Sequence, residues 1–342
     1  AIWEKVFDVW VGGVGMSDGD YLANGASSTT TVAPAEGGYA HYSAGVLTLS
    51  NYSYSGAGYM YDTANGYYAV IYSSVDIQVV LVGKNAVTQS QSYSSAIECE
   101  SDITISGEGS LDMEAEYAIE AFSGKLTVNN GVISVLDSDY AFWCDYIVIN
   151  GGKISINSYY NSIYADEDIN INGGTLYLRS EFGTIDVLKG AITINGGYID
   201  AASVGGFSTE CTFTSAPSID SSLKAMASTT ALGSLGEYVA ANVDTYNRVV
   251  IGATISTYTV SFNANGADGT MTTLSGVLGV YELPVNEFTA PTGMNFKGWA
   301  TTPDGSVISG SSINVNENIV LYAIWEKAFD VWVGGVGMSD GD

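Results

Sequence analysis

Positive charge is what this sequence has least of. Its 342 residues carry ten lysines and arginines against 37 aspartates and glutamates, a net charge of −27. Nucleic acid and anionic lipid surfaces are excluded as partners, because binding them needs Lys and Arg to displace counterions. There is one histidine, His41, and there are two arginines, Arg179 and Arg248, which leaves few basic side chains to work opposite a carboxylate. Three cysteines is an odd and small number, so thiols do not define a disulfide framework or fix the compartment. No apolar run reaches the length of a membrane-spanning helix and no signal peptide is seen, so direct membrane insertion of this segment is not expected, although the missing signal means little in a unit of a longer chain.

What the sequence does have is repetition. Between Ala96 and Ala201 a turn element recurs as NNG at Asn129–Gly131 and NGG at Asn150–Gly152, Asn172–Gly174 and Asn195–Gly197, with a looser SGEG at Ser106–Gly109. Its asparagines step by 21, 22 and 23 residues. Three apolar columns keep the same step: Ile97, Ile119, Phe142, Ile163 and Ile185; the I-x-I pairs beginning at Ile103, Leu126, Ile147, Ile169 and Ile192; and the pairs beginning at Leu111, Ile133, Ile154, Leu176 and Ile199. Alternation within each pair is strand periodicity. Three short strands in about 22 residues make one coil of a right-handed parallel β-helix, and stacked coils bury a core that one coil cannot. The asparagines are expected to stack as an amide ladder, each followed by a glycine corner at positive φ. Cys99 and Cys144 fall on one inward column with Ala121 between them. Two coils apart is roughly 10 Å, too far for a disulfide; they read as small buried hydrophobes.

The two ends repeat each other. Residues 1–20 return at 323–342 with 19 of 20 positions identical, only Val6 becoming Ala328, which gives a period of 322 residues. The reading is one unit of a longer tandem protein whose export signal and anchor lie elsewhere. The expected domains are an N-terminal strand and cap (1–75), regular coils (76–205), a C-terminal cap and connection (206–256) with one short helix within Ser221–Gly236, a small module (257–327), and the start of the next unit (328–342). No Gly, Ser or Pro linker separates Leu321–Lys327 from the next F-D-V-W-V, so the junction is expected to be stiff.

Two resemblances follow from motifs. Phe7–Gly13, Val46–Asn51, Ile77–Val87 and the coils resemble a family of bacterial surface β-helices over about residues 7–205. That resemblance implies carbohydrate binding, in some members with calcium. Val260-x-Phe262, Asn265-Gly266, Leu283-Pro284, Phe296-x-Gly298-Trp299, Asp304-Gly305 and Leu321-Tyr322-Ala323-x-Trp325 resemble the Listeria–Bacteroides repeat of the internalin B type over about 258–326. It implies a small β-grasp-like module found in tandem on bacterial surfaces. Phe262, Phe296, Trp299 and Trp325 read as the core of that module rather than as ligand residues.

The fold class is thus all-β: a parallel β-helix plus a β-grasp-like module. β-Helices include sugar lyases and hydrolases, but those need clustered aspartates with a histidine and a basic pair. His41 lies outside the regular coils and Arg179, the one candidate lyase base, has no matched partner, so no enzyme is expected. Glu114 aligns with Asp137 and Glu116 with Asp139 at a spacing of 23. On coils about 4.8 Å apart four carboxylates would share one volume, suited to calcium or else a solvated acidic corner. Glu98 and Glu120 form a second stack on an outward column, and Asp166-Glu167-Asp168 a third cluster. Tyr52, Tyr54, Tyr59, Tyr61, Tyr67, Tyr68 and Tyr72 crowd one segment, where tyrosines cap the open end of the helix or meet a sugar or a neighbouring protein. Two functions remain: a stiff extracellular stalk or filament whose partners are neighbouring tandem units head to tail, or a calcium-assisted module binding polysaccharide or host glycan on a surface adhesin.

Overall fold

A stacked coil puts each residue opposite its counterpart one period away, so the columns above predict a register. In the computed structural model, which describes residues 7–205 and 211–328 with the strands Val331–Val333 and Val336–Met338, that register is what forms. Residues 1–6, 206–210 and most of the expected next unit lie outside the described residues. The chain divides into two compact units, the first reaching Ala231 and resuming over Tyr238–Ile255, the second comprising Leu232–Glu237 and the residues from Ser256.

The first unit is a parallel β-helix of about 6 turns. In the first column Ile97 pairs with Ile119, Ile119 with Phe142, Phe142 with Ile163 and Ile163 with Ile185. The second column joins Ile103, Leu126, Ile147, Ile169 and Ile192, and the third Leu111, Ile133, Ile154, Leu176 and Ile199, each in parallel register. All of these side chains are buried, and Cys99 and Cys144 are buried free thiols among them. At the corner, the side-chain amides of Asn150, Asn172 and Asn195 donate to the Oδ1 of Asn129, Asn150 and Asn172 at 2.8, 2.8 and 2.9 Å. The glycines there serve two needs. Gly152 has a φ of 88°, and a Cβ on Gly151 would lie 2.6 Å from the Asn129 carbonyl oxygen.

Both ends of a parallel stack leave unpaired backbone, and antiparallel strands take it up. At the N-terminal end Val9–Val11 pairs with Val14–Met16 and lies antiparallel on Tyr67–Ser73, which Tyr59–Asp62 also pairs. Tyr39–Ser43 lies antiparallel on Val46–Ser50, and carries His41 stacked on Tyr21 at 3.9 Å. At the C-terminal end Arg248–Gly252 runs antiparallel on Tyr198–Ser203, and Lys224–Ser228 covers Arg248–Gly252. The short helix expected within Ser221–Gly236 is therefore a strand. A helix satisfies its own backbone, whereas this segment supplies ladder hydrogen bonds to Arg248–Gly252, which only an extended strand can do. The helical segment of the described residues is a 3-10 stretch further on, Ala240–Thr245.

The two arginines belong to this closure. Arg248, 3% exposed, donates from Nε and Nη2 to the two carboxylate oxygens of Asp200 at 3.0 and 2.8 Å. Arg179 donates from Nη1 to the carbonyls of Leu178 and Asp200 at 2.8 and 2.7 Å. Burial raises the Asp200 pKa, but the Arg248 hydrogen bonds and the charges of both arginines outweigh it and hold the carboxyl below its ordinary range. Arg179 thus clamps the last coils.

The second unit is built on a four-stranded sheet. Tyr258–Asn263 lies between its hairpin partner Leu274–Val277 and the parallel strand Ile319–Lys327, which also pairs antiparallel with Met294–Ala300. Taken as strands one to four, the order is 2-1-4-3 with one and four parallel, the β-grasp arrangement. The helix a β-grasp would place across this sheet is absent among the described residues, and a two-stranded ribbon, Gly279–Glu282 with Ser312–Val315, is present instead. Phe262, Phe296, Trp299 and Trp325 pack in one core, with the indole N–H groups of Trp299 and Trp325 donating to the carbonyls of Pro284 and Ala264 at 2.8 and 2.9 Å. Leu232–Glu237 joins this unit through the Leu235 N–H, which donates to Gly276 O at 2.8 Å.

Replacing Arg248 by alanine removes the bidentate partner of the buried Asp200 and leaves it only the longer, half-exposed contact to Arg179. We expect a loss of about 3–5 kcal/mol, read as a lower urea midpoint for the first unit. An unchanged midpoint would show that Asp200 is not the keystone of the C-terminal cap.

Candidate functional site

Where the coils keep their period the outer surface is a plain ladder, so the places to examine are those where it is broken. Three breaks converge on the first column. The hairpin Tyr59–Asp62/Tyr67–Ser73 brings Tyr61 and Tyr67 over it. The loop before Ser95–Cys99 holds Tyr93 at a φ of 53°, an unusual conformation for a bulky residue, with its N–H donated to the Glu116 carboxylate. In the next coil the pairing shifts register between Ala121 and Lys125, and Phe122 stands out, 44% exposed.

These segments enclose a cavity of about 180 Å³ lined by Tyr61, Tyr67, Tyr93, Tyr117, Phe122, Trp143 and Glu120. The Phe122 and Trp143 rings meet edge to face at 4.9 Å, and the Trp143 indole N–H is buried without a hydrogen-bond partner. From the cavity a strip of rings continues along the coils: Tyr117 stacks over Tyr140 at 6.1 Å, Tyr140 over Tyr160 at 5.2 Å, and Tyr160 over Phe182 at 5.4 Å.

Below the rings lie Glu98 and Glu120. They are paired one coil apart, as their spacing predicts, but they are not on open surface: their exposures are 5% and 4%. The tyrosine hairpin covers them. The Ser95 hydroxyl donates to the Glu120 carboxylate, and its oxygen lies 3.5 Å from Glu98 Oε2. Burial raises both pKa values; Glu98, opposite the charge of Glu120, is raised further and holds the proton between them. Two such carboxyls cannot both ionise cheaply: at about 4 Å the repulsion is about 4 kcal/mol at an effective dielectric of 20. Facing the pair are the phenols of Tyr61, Tyr72 and Tyr117, the carboxylate of Glu100, and from inside the coil the thiols of Cys99 and Cys144. Burial and then the Glu120 charge push the Tyr117 phenol up to about 12.

The carboxylates singled out for calcium separate. Glu116 stands opposite Asp139, whose N–H donates to the Glu116 carbonyl at 2.8 Å, but Glu114 pairs with Leu136 and not with Asp137. The cause is a bulge: Asp137 has a φ of 53°, and the next pairing shifts register between Val135 and Ser138. Glu116 holds the Tyr93 loop. Asp137 and Asp139 line a second cavity of about 270 Å³ with Asn157, Tyr159 and Glu181. Among the described residues no three His, Cys, Asp or Glu side chains form a group able to hold a metal ion. In the third cluster, Asp168 accepts from the Ala191 N–H and Glu167 lies 3.9 Å from Lys189.

The tyrosine segment splits as well. Tyr52 is a core residue at 1% exposure, so it is no contact surface, because its ring turns inward to fill the first coil. Tyr54 packs on that core with its hydroxyl accepting from Gly58 N–H, and Tyr59 stacks on Trp10 at 4.0 Å. Tyr68 is half-buried, its N–H donated to the Ser94 hydroxyl. Tyr61 and Tyr67 alone of the six reach the cavity. Sequence reasoning missed Tyr93, Tyr117, Phe122 and Trp143; the spacing of Tyr117, Tyr140, Tyr160 and Phe182 was the available signal.

Comparison with known proteins gives the family. The family model described as carbohydrate-binding domain-containing protein matches residues 62–244, more than half of the chain, and the chain belongs to that family. The Listeria-Bacteroides repeat domain matches residues 258–324. No curated protein and no solved structure matches. Both are non-catalytic kinds of domain, typical of extracellular or surface proteins, and among the described residues no helix is long and apolar enough to cross a membrane.

The pair also sets a pH dependence. A carboxyl whose folded pKa is raised above 4.5 keeps a proton that the unfolded chain releases, so stability is fully present below that pH and is lost as pH rises toward the folded value. Glu98→Gln removes the like charge, and we expect it to raise the melting temperature at about pH 9 with little effect at about pH 5. A difference that is constant between those two conditions would refute the buried pair.

Proposed function

We propose that the first unit binds a glycan chain along the ring strip, with one sugar seated in the Tyr61–Trp143 pocket. A pyranose has an apolar C–H face and a polar rim; flat rings bury the face, and hydroxyls and carboxyls meet the rim. The observation carrying this reading is the aromatic-lined cavity itself, within a region that belongs to a carbohydrate-binding family. Binding at rings does not require calcium, so it should survive chelation. The test is titration of the purified chain against a glycan array. For a glycan that binds, Trp143→Ala should lower affinity about tenfold or more, as loss of a central aromatic anchor does. Tyr177→Ala, an exposed ring on the third column, should leave affinity unchanged. Equal effects of the two variants would remove the pocket from the reading.

A second reading concerns how the unit is used. We infer that it is one period of a tandem array on a bacterial surface, forming a stiff stalk or filament. The support is where the repeated residues fall. Residues 323–327, identical to 1–5, end a strand of the second unit, with Ala323 buried and Trp325 in the core. Further on, Val331–Val333 pairs with Val336–Met338 in the register that Val9–Val11 makes with Val14–Met16. Electron microscopy of three consecutive periods, with and without a calcium chelator, should give straight rods of fixed repeat. Randomly bent beads would overturn stiffness, and rods lost on chelation would make calcium part of the stalk.

A further inference from the structure

The outward positions of the first column, coil after coil, are Tyr72, Glu98, Glu120, Trp143, Tyr164 and Asp186. The acidic pair is therefore bracketed by rings along the column, and Tyr61, Tyr67, Tyr93 and Phe122 close over it. The ion pairs of the described residues engage Asp102, Asp200, Glu167 and Glu326, and neither Glu98 nor Glu120 has a Lys or Arg within reach. A buried carboxylate with no cation is unfavourable by itself. Ring faces add to the demand, because their negative quadrupole attracts a cation.

We propose that the pocket takes the ammonium group of an amino sugar, held between the rings and Glu120, the member of the acidic pair that lines it. The proposal rests on the carbohydrate-binding reading and narrows its ligand. A neutral sugar would fill the ring surface but leave the Glu120 carboxylate without a counter-charge. An acidic sugar would meet a chain of net charge −27. A hard metal ion wants six or more oxygen ligands, and the lining offers one carboxylate, Glu120, among rings. An organic ammonium on a sugar ring answers both features at once, its C–H surface against the rings and its charge against Glu120.

The test is calorimetry of the full chain at neutral pH with a glucosamine tetrasaccharide bearing free amines, its fully N-acetylated counterpart, and choline. The free-amine oligosaccharide should bind at least tenfold tighter than the acetylated one. The double variant Glu98→Gln, Glu120→Gln should lose that preference while Trp143→Ala weakens both. The wild-type comparison decides even if the double variant fails to fold. Equal affinity, or tighter binding of the acetylated form, overturns the ammonium assignment and leaves the carbohydrate reading standing. Binding of choline alone overturns the amino sugar in favour of a quaternary ammonium. If neither oligosaccharide binds, the assignment falls; if no array glycan binds either, the carbohydrate reading falls with it.

Discussion

Parallel backbone pairing between successive coils is the constraint on which this molecule depends. It sets a rise of about 4.8 Å and forces every residue to stand on its counterpart one period away. What the counterparts are then decides whether the stack is favourable. Isoleucine on isoleucine fills the core, and asparagine on asparagine closes an amide ladder whose members donate and accept in turn. Tyrosine on tyrosine gives the ring strip. Glutamate on glutamate is the unfavourable case, and it occurs where rings cover it.

The same constraint explains why the surface chemistry gathers at irregularities. A regular coil can only repeat its neighbours, and a flat ladder has no concavity. Depth requires a residue to leave the register. Phe122 does so through a register shift, Tyr93 through a left-handed backbone, and Tyr61 through a hairpin on the capping side. The bulge at Asp137 opens the second cavity by the same means, and in doing so it breaks the alignment with Glu114.

This division also decides what could be read from the sequence. Inward columns, corner asparagines and buried thiols are periodic, so spacing located them to the residue. The β-grasp order of the second unit followed from family motifs and not from periodicity, since its strands are joined by unequal loops. Glu98 and Glu120 were legible as a stack, yet not as a buried one, because the hairpin that covers them lies outside the repeat. Spacing alone also paired Glu114 with Asp137; a one-residue bulge is invisible to it. Tyrosine density marked the right segment but could not separate Tyr52, in the core, from Tyr61, in the pocket.

Stability gives no reason for the acidic pair. Any two apolar or hydroxyl side chains at 98 and 120 would stack without repulsion, as the residues on the inward side of the same strands do. The two arginines that could have neutralised a carboxylate both hold Asp200 at the far end of the coils. A protein that closes its C-terminal cap with a fully paired buried aspartate, and leaves two glutamates under rings without a cation, treats the two sites differently. The first is complete within the chain. The second shares one proton between its carboxyls and keeps a single negative charge beneath the rings, so a cation brought from outside, with an apolar surface to lie between those rings, is what the proposed ligand would add there.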